Sequence, residues 1–266
     1  METSVNPARQ RRSSTMDGAA RAFAVPNVFT AAGEAREVIL SIHVPKTAGM
    51  SFGGILKSEY GDRLLLDYGD YQNWVGADSR PAILRRVQEE ARLRRDELSQ
   101  KYQVIHGHFF PEKYIGLFPK ADFVAFFRDP FEQTISNYEF LRRHPEAAAE
   151  YPAVRIFHEC RMSVEEYIAW PQAPQCDAIS GLSIDDLALA GLTEKFSEGI
   201  ALFNVLFQTN LTSDVRLNPN PFREEQRYSI SDDLRRFIEK HRQPDIELYQ
   251  RAVERFKQLA ARHLRP

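Results

Sequence analysis

The segment EVILSIHV, residues 37–44, constrains the fold of this 266-residue chain more than any other. Its short apolar run is typical of a strand that is buried on both faces of a sheet. The turn PKTAGM follows at once, and Phe52, Ile55 and Leu56 then recur at helical spacing. This order of strand, turn and helix predicts the first βα unit of a parallel sheet.

Three further segments predict more strands of the same sheet. They are short and rich in apolar residues: DRLLLDY, YQVIHGHF and DFVAFFRD. The last of them ends at Asp129, which suits a helix N-cap, and is followed by Pro130, which suits the first helical position. A helical pattern covers residues 79–98, and most of the second half is helical in pattern. We therefore expect an α/β fold with a central, mostly parallel sheet flanked by helices and a helical second half.

Domain organisation and location follow from composition. Residues 1–36 have no sustained periodicity, which predicts a disordered or loosely attached arm ahead of a single domain over 37–266. The formal net charge of -2 argues against bulk nucleic acid or an anionic membrane as the partner. Neither a membrane span nor a signal-peptide core is visible, and Cys160 and Cys176 are too few for a disulfide scaffold. We expect two free thiols and a cytoplasmic location; the oligomeric state stays open.

The turn HVPKTAGMSF, residues 43–52, is the first candidate site. A loop that leaves a buried strand and enters a helix directs backbone N–H groups to one point, where the helix dipole favours an anion. Lys46 adds a formal charge, but it precedes Gly49 and comes early in the loop, unlike the lysine of the nucleotide P-loop pattern. A plain βα turn with a surface lysine would show the same pattern.

Two other segments carry candidate residues. In FFRDPFEQTISNY, Arg128 lies where a strand ends beside a helix N-terminus, so it could grip an anion or merely pair with a neighbouring acid. Ser136 follows about two helical turns later. In HGHF, His106 and His108 alternate by two and should project to the same side of a strand end. Either histidine could do acid–base work there or be structural.

Together the three segments resemble the family 2 sulfotransferases, the group related to heparan sulfate 2-O-sulfotransferase. IHVPKTAGMSF is similar to that family's 5′-phosphosulfate loop, and FRDPFEQTISNY is similar to its 3′-phosphate segment. HGHF lies between these two segments, as in the family, and AGLTEKF is similar to a later family signature. The resemblance covers most of the chain after residue 37 and implies a P-loop-like sulfotransferase fold. It implies an enzyme that transfers a sulfuryl group from 3′-phosphoadenosine-5′-phosphosulfate (PAPS) to an acceptor hydroxyl.

The resemblance also implies roles for individual residues. Lys46 would meet the leaving phosphate, and Arg128 and Ser136 would clamp the 3′-phosphate. His108 would be the general base, with His106 as a supporting group. The donor-binding loop would consist of Pro45, Lys46, Thr47, Ala48, Gly49, Met50, Ser51 and Phe52.

Two residues depart from the family pattern. Met50 stands where the loop usually has a hydroxyl residue, and Gln133 stands where a basic residue is common, so both could weaken donor binding. The expected acceptor is a hydroxyl-bearing carbohydrate, lipid or small metabolite, and the resemblance favours a carbohydrate. No metal is expected, because in-line sulfuryl transfer depends on positioning and charge stabilisation.

Two other functions stay open on the sequence. A nucleotide-dependent kinase or NTPase with an atypical phosphate loop would need Mg²⁺ and a strand-end aspartate to hold it, whereas Asp129 is better suited to cap a helix. A non-catalytic relative would bind a nucleotide or a partner protein. Such a relative would have no chemical need for Lys46, His108, Arg128 and Ser136 together.

Overall fold

The computed structural model describes residues 38–70, 79–170, 175–213 and 227–264. The arm expected over residues 1–36 lies outside these ranges. Within them, none of the helices combines the length and the apolar character that crossing a membrane requires. Cys160 and Cys176 are both free thiols, as expected from their number.

Five strands form one sheet. They are β1 Ile39–Ile42, β2 Leu64–Leu66, β3 Val104–Gly107, β4 Asp122–Phe127 and β5 Leu187–Leu192. Their order across the sheet is β2-β3-β1-β4-β5, and every neighbouring pair is parallel. All residues of β1 and β3 are buried, as the apolar runs indicated. The sheet confirms the expected α/β class.

Helices flank this sheet. In the described parts of the chain they are α1 Gly49–Tyr60, α2 Arg80–Leu93, α3 Arg95–Lys101, α4 Glu112–Ile115, α5 Pro130–Arg143, α6 Pro152–Glu159, α7 Val164–Ala169, α8 Gln175–Ala178, α9 Phe196–Phe207, α10 Asp232–His241 and α11 Gln243–His263. α1 packs against β2 and β3, while α9 and α11 pack against β5. The Asp129 carboxylate accepts hydrogen bonds from the backbone N–H groups of Phe131 and Glu132, so it caps α5 as predicted.

Two elements differ from the sequence-based expectations. The helix expected over residues 79–98 is interrupted at Arg94, and the break leaves Leu93 exposed while Leu98 is buried in the core. The second half also supplies a strand, β5, which was not expected there. Its sequence, LALAGL, has no β-branched residue, so its pairing with β4 outweighs its weak intrinsic strand propensity.

The strand order reverses between β1 and β4. After β1 the chain crosses to β2 on one side of the sheet, whereas after β4 it continues to β5 on the other side. Ligands of open α/β sheets bind at the carboxyl ends of the strands, beside such a reversal. In this fold the reversal lies between the turn that follows Ile42 and the turn that follows Phe127.

Candidate functional site

The carboxyl edge of the sheet brings the three candidate segments together. Ile42 pairs with Gly107 of β3 and with Ala125 of β4, so the chain leaves all three strands at the same edge. Gly107 is required there by close packing, because a Cβ at this position would lie 1.8 Å from the backbone oxygen of Asp67. The loop after β1 is therefore the common neighbour of the segments that follow β3 and β4.

The loop between β1 and α1 has a strained backbone. Lys46 and Ala48 have φ values of 64° and 67°, in the left-handed region that residues other than glycine rarely adopt. The Thr47 hydroxyl donates to the carbonyl oxygen of Val44 at 2.8 Å and stabilises the turn. Strain of this kind, about 1–3 kcal/mol for each residue, clusters at functional sites. Left-handed residues within a turn are also a feature of the backbone nests that bind anions.

Helix α1 begins directly after this loop without a side-chain cap. Ala48 is its N-cap residue, and the first turn contains no acidic side chain. The N–H groups of that turn and the helix dipole therefore give the loop a positive potential. Met50 is 50% exposed in this turn. Phe52, the last residue of the expected donor-binding loop, packs its ring in the core against Phe126 and Phe203.

Cationic side chains surround the loop. The Lys46 ammonium lies 4.2 Å from the centre of the Phe140 ring. Burial, together with the nearby charges of Arg128 and Arg143, lowers the pKa of Lys46 to about 8. An anion bound among these three cations would relieve their mutual repulsion. Sequence reasoning missed Arg143, which lies in the last turn of α5 and gives no local signal that it approaches the loop.

Arg128 is 9% exposed and contacts both the loop and a carboxylate. One guanidinium nitrogen, Nη1, donates to the carbonyl oxygen of Lys46 at 3.3 Å, and Nη2 forms an ion pair with Glu132 at 3.0 Å. The pairing with a neighbouring acid is thus present, but the same side chain also braces the loop. Ser136 is 6% exposed, and it shares a face of α5 with Glu132 because the two are four residues apart.

Gln133, the other departure from the family pattern, also braces the loop. Its Nε2 donates to the carbonyl oxygen of Pro45 at 3.1 Å. A basic residue at this position would bring another charge towards the cations of the loop. The amide supplies a contact to the loop backbone without adding that charge.

Three histidines stack beside the loop. The ring centre of His43 lies 4.2 Å from that of His108 and 5.5 Å from that of His106. His106 and His108 therefore project to the same side of the strand end, as their spacing predicted. Two glycines of α1 make room for the rings, because a Cβ at Gly49 would lie 1.8 Å from the His43 ring and one at Gly53 would lie 2.8 Å from His106. Sequence reasoning missed His43, although it lies within the first candidate segment.

Hydrogen bonds assign different tautomers to His106 and His108. His106 Nε2 lies 3.2 Å from the carbonyl oxygen of Gly49, which can only accept, so Nε2 carries the proton and Nδ1 accepts from the Ser41 hydroxyl at 2.8 Å. His108 Nδ1 lies 2.6 Å from the carbonyl oxygen of His43, so Nδ1 carries the proton and the lone pair is on Nε2. Both nitrogens of His106 thus have partners inside the protein, and the lone pair of His108 is on Nε2.

The histidines are neutral at physiological pH. Burial lowers the pKa of His106 and of His108 to about 4. The pKa of His43 is also well below its ordinary value, through burial and through its proximity to the other two rings. A histidine base is expected from sequence to titrate near neutrality, and burial is the reason that these rings do not. The neutral form is nevertheless the one that a general base requires.

Tyr68 closes the histidine cluster and was also missed by sequence reasoning. Its hydroxyl lies 3.0 Å from His43 Nδ1, and its ring stands edge-on to all three imidazoles. Burial raises the pKa of Tyr68 to about 12, so the phenol keeps its proton and can donate to His43. Across the described ranges, no group of three or more His, Cys, Asp or Glu side chains is arranged to hold a metal ion.

The fold and the site define an α/β protein with a cationic strand-to-helix loop at the reversal point of its sheet and a neutral histidine cluster beside that loop. No protein-family model matches the chain, and no curated protein matches it significantly. The residues themselves and their geometry are therefore the grounds for a functional proposal.

Proposed function

We propose that this protein is a sulfotransferase that transfers a sulfuryl group from PAPS to the hydroxyl of an acceptor. The observation that carries the proposal is that a cationic loop and a neutral histidine meet at one turn of the chain. Arg128 contacts the carbonyl oxygen of Lys46 in that turn, and His108 contacts the carbonyl oxygen of His43 just before it. The resemblance of these segments to the family 2 sulfotransferases supports the same reaction.

The loop supplies the donor site in this proposal. The N–H groups at the start of α1 and the Lys46 ammonium bind the 5′-phosphosulfate, while Arg128 and Ser136 bind the 3′-phosphate. These assignments suit the chemistry, because negative charge grows on the leaving phosphate oxygen during transfer and preorganised donors stabilise it. The strained left-handed backbone at Lys46 and Ala48 supports the same assignment, since it keeps the loop shaped before the donor arrives.

His108 acts as the general base. As the acceptor oxygen forms a bond to sulfur, the bond from sulfur to the leaving phosphate oxygen breaks, and the hydroxyl proton moves to His108 Nε2. The products are the sulfated acceptor and adenosine 3′,5′-bisphosphate. A bound anionic donor favours the protonated imidazole, so the pKa of His108 should rise from about 4 when PAPS is present.

The structure gives less support to the two other functions. In a kinase or NTPase an acidic residue at the strand end would hold Mg²⁺, but here the Asp129 carboxylate accepts from two backbone N–H groups of α5. Glu132 is paired with Arg128. A purely binding protein would have no chemical need for His108 beside the loop. Turnover decides between that function and the proposed one.

The experiment is a screen of carbohydrates, lipids and small metabolites as acceptors with isotope-labelled PAPS in EDTA. Mass spectrometry should show a sulfated acceptor and adenosine 3′,5′-bisphosphate in equal amounts. Lys46→Ala should reduce the rate by about 10²–10³. The matched control is Lys57→Ala, at an exposed position on the helix that follows the loop. Failure of the wild-type protein to sulfate any acceptor class, or wild-type rates for Lys46→Ala, would argue against the proposal.

A further inference from the structure

We infer that Gln175 is a positioning residue that holds the main chain of Arg128 so that its guanidinium faces the 3′-phosphate. The inference rests on the proposed function, in which Arg128 binds that phosphate. Gln175 begins α8 and lies outside every segment that the sequence singled out. Its side chain is nevertheless 1% exposed and directed at Arg128.

Arg128 needs such a partner because it lies just beyond the sheet. The last pair between β4 and β5 joins Phe127 to Leu192, so the N–H and C=O groups of Arg128 have no place in the ladder. Gln175 satisfies both groups. Its Oε1 accepts from the Arg128 N–H at 3.0 Å, and its Nε2 donates to the Arg128 carbonyl oxygen at 2.8 Å. A single buried amide thus acts as the missing strand neighbour.

Side chains after β5 hold the residues on either side of Arg128. The Thr193 hydroxyl donates to the carbonyl oxygen of Phe127 at 3.0 Å, and Glu194 Oε1 accepts from the N–H of Asp129 at 2.9 Å. The main chain is therefore fixed at three consecutive residues. This arrangement also gives a physical reason for Thr193 and Glu194 in the AGLTEKF segment.

The consequence for Arg128 is a defined side-chain direction. Its guanidinium reaches the Lys46 carbonyl oxygen and Glu132 from the main-chain position that Gln175 holds. Without Gln175, two buried polar groups would lack partners, and the main chain would shift to reach water or other groups. Such a shift would impair contact with the 3′-phosphate more than contacts to the 5′-phosphate, because the hydrogen bonds of Gln133 and Thr47 still hold the loop.

Calorimetry on the full chain can separate these two effects. Gln175→Met keeps the size of the side chain but removes both hydrogen bonds, and Gln175→Asn keeps the amide but shortens its reach. We expect either variant to bind adenosine 3′,5′-bisphosphate about 10–100 times more weakly, by analogy with the loss when groups that orient metal ligands are removed. Affinity for adenosine 5′-monophosphate, which lacks the 3′-phosphate, should change much less.

Gln88→Met is the matched control. The Gln88 side chain also donates to a backbone carbonyl oxygen, that of Glu112, but Gln88 is on α2. Thermal unfolding confirms that each variant is folded, and Gln175→Asn replaces Gln175→Met if the latter is not. The wild-type protein should prefer adenosine 3′,5′-bisphosphate to adenosine 5′-monophosphate. If both folded Gln175 variants retain that preference, the positioning role is overturned and the proposed function stays intact. No preference in the wild-type protein overturns the 3′-phosphate assignment of Arg128 and this inference with it.

Discussion

Acidification should destabilise this protein through its buried imidazoles. The pKa of His106 and that of His108 fall from the ordinary 6.5 to about 4 because the rings are buried. Between these values the unfolded chain takes up protons that the folded protein does not. The stabilising contribution of each neutral ring is therefore fully present above pH 6.5 and is lost as the pH falls from 6.5 to 4.

The expected magnitude follows from the pKa values. Each pKa unit corresponds to about 1.36 kcal/mol, so a change from 6.5 to about 4 gives a loss of about 3 kcal/mol for His106 alone. This is a large part of the roughly 5–15 kcal/mol that stabilises an ordinary domain. Asp70, Asp177 and Asp245 act in the opposite direction, because burial raises their pKa values. A variant comparison cancels that contribution.

Urea unfolding of the wild-type protein and of His106→Asn at pH 7, 6 and 5 provides the assay. Asparagine can still accept from the Ser41 hydroxyl, but it does not titrate. The variant should be the less stable protein at pH 7, and its deficit should shrink by about 1.4 kcal/mol per pH unit below 6.5. His241→Asn, at the exposed end of α10, controls for the substitution itself. A deficit that stays constant from pH 7 to pH 5 would refute the reasoning.

Three other predictions concern the loop and the base. Because the pKa of Lys46 is lowered to about 8, its charge is lost above that pH. Calorimetry should therefore show that affinity for adenosine 3′,5′-bisphosphate falls above pH 8 in the wild-type protein but stays level in Lys46→Arg. A level profile for the wild-type protein would contradict this. His108→Ala should keep its affinity for PAPS and lose about 10²–10⁴ in turnover, whereas His106→Ala should lose less turnover. If kinetic assays show the larger loss in His106→Ala, the roles of the two histidines are exchanged. Ala48→Gly should raise the free energy of unfolding by about 1 kcal/mol, because glycine adopts a φ of 67° without strain. Unchanged stability in urea unfolding would show that the loop is not strained.

Much of the fold follows from local sequence patterns. β1 and β4 were predictable because their apolar runs are dense and end in turn or cap residues, and the start of α5 was marked by Asp129 and Pro130. β5 was not predictable in this way. Its leucines, alanines and glycine have no strong strand preference, and its conformation depends on pairing with β4, which is distant in sequence.

The same distinction holds for the site. Lys46, Arg128 and the two histidines of HGHF lie at strand ends, where sequence alone identifies candidate residues, and the parallel sheet brings these strand ends to one edge. Tyr68 and Gln175 were not predictable because each acts on a partner far along the chain. Gln175 is 47 residues from Arg128, and no local pattern records that contact.

The central claim is that the loop and Arg128 form a binding site for PAPS, and calorimetric titration with adenosine 3′,5′-bisphosphate in EDTA tests it most directly. We expect saturable binding of one molecule per chain that does not depend on Mg²⁺. Lys46→Ala and Arg128→Ala should both weaken that binding. An absence of binding, together with binding of ADP that requires Mg²⁺, would contradict the claim and identify a kinase-type site instead.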